Sequence, residues 1–178
     1  MKSLSKGFTL VELTVTLGVL AAALAVAVPR YLEWQPDLEL KAAVRHLRSD
    51  YGLARYRAVS ENASVAVVFD TAGSAYSLFV DNGDGAAVGG IADNWVPDGT
   101  ERILKTVVFP SSVDLYRAAF AGGVSRVRFD GRGVPNGLGG TVYLRNTKHT
   151  YRAVSVSMVG RIKVKTSSDD GQSWQDID

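Results

Sequence analysis

From Phe8 to Val28 the chain carries a single charged side chain, Glu12, in an otherwise apolar run. At about 1.5 Å of rise per residue, a helix of that length measures about 30 Å, the hydrocarbon thickness of a bilayer. Lys2 and Lys6 precede the run. Positive charge on that side keeps the amino terminus cytoplasmic and exports the remainder. Two ordinary readings fit this composition: a cleaved secretory signal, with Ala23-Leu24-Ala25 or Ala25-Val26-Ala27 as the cleavage point, and a simple signal anchor. Glu12 suits neither, because a carboxylate inside an apolar helix costs about 2.5–3.5 kcal/mol on insertion scales and is kept for a partner. A cut between Gly7 and Phe8 would create that partner. The new ammonium of one subunit would lie within reach of Glu12 on its neighbour when identical helices pack with an offset.

The stretch Gly7-Phe8-Thr9-Leu10-Val11-Glu12 resembles the prepilin cleavage and methylation motif of type IV pilins and type II secretion pseudopilins. The resemblance implies that a prepilin peptidase cuts after Gly7 and methylates Phe8, and that Glu12 is the acid used in assembly. It further implies a single-pass protein of the inner membrane with a periplasmic head, whose partners are other pilins or pseudopilins, met through the amino-terminal helix. The boundaries expected on this basis are a leader over 1–7, a transmembrane half-helix over 8–28, an amphipathic stalk over 29–62 and a β-rich head over 63–178. Pro29 and Pro36 mark places where the helix can bend or break.

Beyond Pro36, Leu40, Val44, Leu47, Tyr51, Ala54 and Ala58 recur at helical spacing, with Lys41, Arg45, Arg48, Arg55 and Arg57 on the other face. Asn62, which tolerates a left-handed backbone, is the expected stop. From Ser64 the period changes to two. Candidate strands cover 64–69, 75–80, 102–109, 113–116, 124–129, 141–145, 151–158 and 161–165. The expected fold class is therefore α+β, a pilin-like lollipop: one long helix packed on an antiparallel sheet or sandwich. Val127-Arg128-Phe129, the turn region 131–140, Thr141-Val-Tyr-Leu144 and Val154–Lys163 together resemble the GspH/FimT minor pseudopilin domain. That resemblance implies a minor pseudopilin in a type II secretion pseudopilus. The alternative it implies is a FimT-like minor pilin of a type IV pilus that binds DNA during uptake.

Charge is segregated along the head. Between Arg126 and Lys165 there are nine basic residues and one acid, Asp130, whereas Asp70 to Asp114 holds seven acids and two bases. Strand alternation turns Val127, Phe129, Val142, Leu144, Ile162 and Val164 inward. It turns Arg126, Arg128, Arg145, Arg161, Lys163 and Lys165 outward as a candidate polyanion-binding face, for which DNA is the candidate partner. In the FimT-like resemblance, Gly160-Arg161-Ile162-Lys163 corresponds to a Gly-Arg-x-Arg element. Lysine keeps the charge there and loses the bidentate fork. A solvated sheet face, or one meeting acidic neighbours, is the competing reading.

No enzyme site emerges. With no cysteine, a thiol nucleophile, a thiolate metal site and a disulfide are excluded, and His46 and His149 lack any accompanying ligand or nucleophile pattern. No cofactor is expected, with calcium as a side reading. Asp81, Asn82 and Asp84 place alternating oxygen ligands on a glycine turn, yet the twelfth position of an EF-hand count is Ala92 rather than glutamate. Ser167–Trp174 matches the Asp-box pattern, in which acid and glycine shape a turn above a tryptophan; its meaning is structural.

Overall fold

The computed structural model describes residues 8–137 and 139–177. Gly7, the residue before the expected cut, lies outside them. The chain divides into two compact units, Met1–Gln35 and Pro36–Asp178. One helix, α1 (Leu10–Glu61), contributes to both.

In the first unit every described residue from Phe8 to Trp34 is exposed. Leu10, Val11, Val19 and Val26 each expose about two thirds or more of their surface. The helix contains a stretch long and apolar enough to cross a membrane. Its hydroxyls are satisfied internally: Thr14 Oγ1 donates to the Val11 carbonyl at 2.9 Å, and Thr16 Oγ1 to the carbonyls of Glu12 and Leu13 at 2.9 and 2.8 Å. Internal pairing of this kind suits a medium with no water to bond. The helix includes Pro29 and Pro36; each proline removes only the donor that would reach the carbonyl four residues before it.

In the second unit the remainder of α1 buries Leu40, Ala43, Val44, Leu47, Asp50, Tyr51, Ala54 and Ala58. The expected apolar stripe is complete, with Ala43 and a charged residue, Asp50, added to it. The helix ends as its sequence indicates. Asn62 takes φ 48°. The Ala63 amide donates to the Ala58 carbonyl at 3.1 Å and the Asn62 amide to Val59 at 3.3 Å, which is the Schellman pairing that satisfies a last turn.

Nine strands follow: β1 (Val65–Asp70), β2 (Ala75–Val80), β3 (Ile103–Val108), β4 (Val113–Phe120), β5 (Arg126–Phe129), β6 (Gly140–Asn146), β7 (Tyr151–Val156), β8 (Ile162–Ser167) and β9 (Gln175–Asp176). They form two antiparallel sheets, β3-β2-β1-β5 and β4-β6-β7-β8-β9. One core joins both sheets to the helix, with Tyr51, Phe69, Tyr76, Leu115, Phe129 and Leu144 among its members. The fold class is α+β, as the periodicity indicates. β4 extends four residues past its expected end, to Phe120. The two-residue β9 has no counterpart in the sequence reading, because a strand that short shows no alternation.

Arg55 ties the end of the helix to the head. From a helix position read as polar surface, its Nε donates to the Gly133 carbonyl at 2.9 Å and its Nη1 to the Gly160 carbonyl at 2.7 Å. Gly160 holds φ 76°, and a Cβ there would stand 2.9 Å from the Gly133 oxygen. Only glycine fits this close approach of two turns.

Candidate functional site

The amino-terminal site begins with a cap. The Glu12 amide donates to Thr9 Oγ1 at 3.2 Å, and the Leu13 amide to the Thr9 carbonyl at 3.1 Å. Thr9 is thus the N-cap and Glu12 the third helical residue, the spacing of a capping box. The Thr-x-x-Glu signal was present in the sequence, and Thr9 is a member of the site that the motif reading passed over. Phe8 is 77% exposed at the mouth of this turn. Among the described residues no cation pairs with the Glu12 carboxylate. From Leu10 to Pro29 the helix therefore presents Glu12 as its one charged side chain on an exposed, largely apolar surface.

The basic residues of the head do not form one face. Arg126 and Arg128 lie on β5, in the four-stranded sheet, whereas Arg145, Lys163 and Lys165 lie on β6 and β8, in the five-stranded sheet. Arg128, expected to point to solvent, is buried. Its Nη1 lies 3.3 Å from Asp81 Oδ2 and 3.2 Å from Asp93 Oδ1, and its guanidinium stacks 4.5 Å from the Trp95 ring centroid. Arg126 covers the same ring at 4.7 Å. The physical reason is the long β2–β3 connection, which folds back over the outer face of β5. Alternation sends Arg128 outward correctly, but that face is covered.

Arg145 pairs with Asp114 across the β4–β6 register, at 2.7 Å, and the hydrogen bond to that carboxylate holds its guanidinium pKa above the usual value. Lys163 pairs with Asp176 of β9, and this bond lowers the Asp176 pKa. Lys165 is half-buried, and Arg161 stands exposed in the β7–β8 turn just before β8. Of the six arginines and lysines proposed to meet a polyanion, Arg161 is the one left exposed.

The acidic loop is organised internally. The Asp81 carboxylate, fully buried, accepts the amides of Asn94 and Trp95 at 3.2 Å each as well as Arg128. Asn82 Oδ1 accepts the Asp84 amide at 3.1 Å and Asp84 Oδ1 the Gly85 amide at 3.0 Å. Glu101 accepts the Gly83 amide at 2.7 Å. The three calcium-type side chains therefore hold their own loop together instead of converging, and no group of three or more His, Asp and Glu side chains converges as a metal site among the described residues.

The Asp-box segment is a turn. Trp174 Nε1 donates to the Gly171 carbonyl at 3.1 Å, and its ring meets Tyr143 edge-on at 5.2 Å between centroids. Hydrogen bonds from Ser167 and Ser173 lower the Asp169 pKa to about 2.

Comparison with solved structures finds a similar fold in a minor pseudopilin and a minor pilin. The minor pseudopilin EpsH from the type 2 secretion system of Vibrio cholerae superposes with a TM-score of 0.56 at 10% identity, over 74% of this chain and 99% of that one. The type IV minor pilin FimU of Pseudomonas aeruginosa superposes with a TM-score of 0.52 at 20% identity, over 77% of this chain and 96% of FimU. A second crystal form of FimU gives 0.51 at 19% identity, over 75% and 98% of the two chains. At these identities the likeness is one of fold. No curated protein sequence matches the chain significantly. The family model described as type II transport protein GspH matches residues 43–160, from the buried face of α1 to the turn that Arg55 holds, and the chain belongs to that family.

Proposed function

We propose that this protein is a minor pseudopilin of a type II secretion system. It is cut after Gly7 by a prepilin peptidase, methylated on Phe8 and assembled from the inner membrane into a periplasmic filament that drives protein export. The observation that carries the reading is the exposed apolar surface of residues 8–34 with Glu12 as its one fixed acid before Arg30. Such a surface is stable in a bilayer or against other helices of the same kind, and the acid calls for an ammonium from a neighbouring subunit. The role is structural. Arg145 and Lys163 are engaged by acids of the head itself.

The second reading, a FimT-like minor pilin that takes up DNA, is favoured by Arg161, exposed directly after Gly160. Deleting the coding gene separates the two. Loss of exoprotein release with unchanged DNA uptake supports the first reading; loss of uptake with normal release supports the second and overturns the first.

A further inference from the structure

Lys41, Arg45 and Arg48 follow one another at spacings of four and three, so they share one stripe of α1. They line a pocket of about 240 Å³ together with Arg152 of β7, walled by Val164 and Ile177. Arg152 stands opposite Leu144 and Thr166 in the strand registers. It therefore shares the inward face of β7 with the core residues Val154 and Val156. Its Nε is buried with no hydrogen-bond partner. A buried guanidinium N–H without an acceptor is costly, and cations four residues apart on a helix repel one another.

Among the described residues neither Lys41, Arg45 nor Arg152 forms an ion pair, while Arg48 has a polar contact of its own. Three acids of α1 and β9 have polar partners of their own. Asp37 accepts from Asn146 and Thr150, Glu39 from Ser112, and Asp176 from Lys163.

We propose that this pocket binds a phosphate oxyanion, with Arg152 Nε as its innermost donor. Guanidinium forks match the geometry of phosphate oxygens, and several convergent cations suit an anion with more charge than one carboxylate carries. Lys163 and Lys165 alternate to the opposite face of β8 from Val164, so this site is separate from the candidate DNA face. It is also independent of the export role.

The test uses the full chain in a maltoside micelle, titrated calorimetrically with inorganic phosphate against chloride at matched ionic strength. Saturable binding is expected for phosphate alone. Arg152→Leu and Arg45→Gln should each weaken it at least tenfold, whereas Arg161→Gln and Lys165→Gln should change it less than twofold. Folding is controlled by the unfolding temperature. Without phosphate, Arg152→Leu should melt at or above the wild type, because the deleted donor is unsatisfied; phosphate should raise the wild-type midpoint and leave that of Arg152→Leu unchanged. Repeating the titration in phosphatidylglycerol nanodiscs identifies the source. Weakened phosphate binding there assigns the site to a lipid headgroup, and unchanged binding assigns it to a soluble phosphate. Absence of saturable binding, or binding indifferent to Arg152→Leu and Arg45→Gln, overturns the proposal.

Discussion

Asp50, buried on the helix, accepts the Tyr76 hydroxyl of β2 at 2.6 Å. The same carboxylate takes Lys105 Nζ of β3 at 2.8 Å on both oxygens. Helix and sheet are thereby joined by a charged contact at the edge of an apolar core. Replacing Asp50 by Ala leaves the Tyr76 hydroxyl and the half-exposed ammonium unpaired. The expected loss is about 2–3 kcal/mol, discounted for the solvent that reaches Lys105. Urea denaturation of the 36–178 segment measures it.

The two tyrosines beneath that contact should behave oppositely. Tyr76 loses a hydrogen bond on change to Phe, at a cost of about 1 kcal/mol. Tyr51 is fully buried and its hydroxyl has no partner. Tyr51→Phe should therefore be neutral or stabilising by up to about 1 kcal/mol. The same denaturation series checks both signs.

Alkaline sensitivity follows from these rings. Burial raises the pKa of Tyr51 and Tyr76 well above the ordinary phenol value, and for Tyr76 the bond to Asp50 adds to it. A raised folded-state pKa contributes stability that is complete below the unfolded value, about 10, and is lost as pH rises beyond it. Stability measured from pH 8 upward should stay level and then fall from about pH 10. Tyr76→Phe should shallow that fall.

Gly160→Ala forces a side chain onto a backbone at φ 76° and against the Gly133 oxygen. A cost of about 1–3 kcal/mol is expected. Arg55→Ala removes the donors to Gly133 and Gly160 and should cost a similar amount, with little further loss in the double variant because both act on one contact. Thermal melts of the four species measure the coupling.

Arg128→Ala leaves Asp81 buried and short of its cation. A loss of about 3–5 kcal/mol is expected, with faster proteolysis within the β2–β3 connection. Arg161→Ala, at an exposed position, should alter stability by no more than about 0.5 kcal/mol. Limited proteolysis and melting of both variants separate the structural arginine from the surface one.

The contrast between these arginines shows how far the sequence was readable. Periodicity located the buried stripe of α1, the stop at Asn62 and eight of the nine strands, because each depends on residues close in the chain. It assigned Arg128 to the outer face of β5 correctly and its surroundings wrongly. What covers that face is Trp95 and Asp93, more than thirty positions away on a loop whose path no local pattern encodes. Pairing of Lys163 with Asp176 was hidden for the same reason, since it depends on the short β9. The oxygen-rich turn at Asp81 resembled a cation loop because backbone capping and cation binding draw on the same side chains. At the amino terminus, one turn of sequence holds the cap, the acid and the expected cleavage point together. There the sequence was most informative.

The proposed role of Glu12, neutralising the processed amino terminus of an adjacent subunit, is open to a direct test. Full-length Glu12→Gln, expressed in place of the wild type, is followed by amino-terminal mass spectrometry for cleavage and by immunoblotting of sheared filaments for incorporation. Normal cleavage after Gly7 and loss of incorporation are expected. Filaments containing the variant at the wild-type level would rule out the pairing of Glu12 with a neighbouring amino terminus.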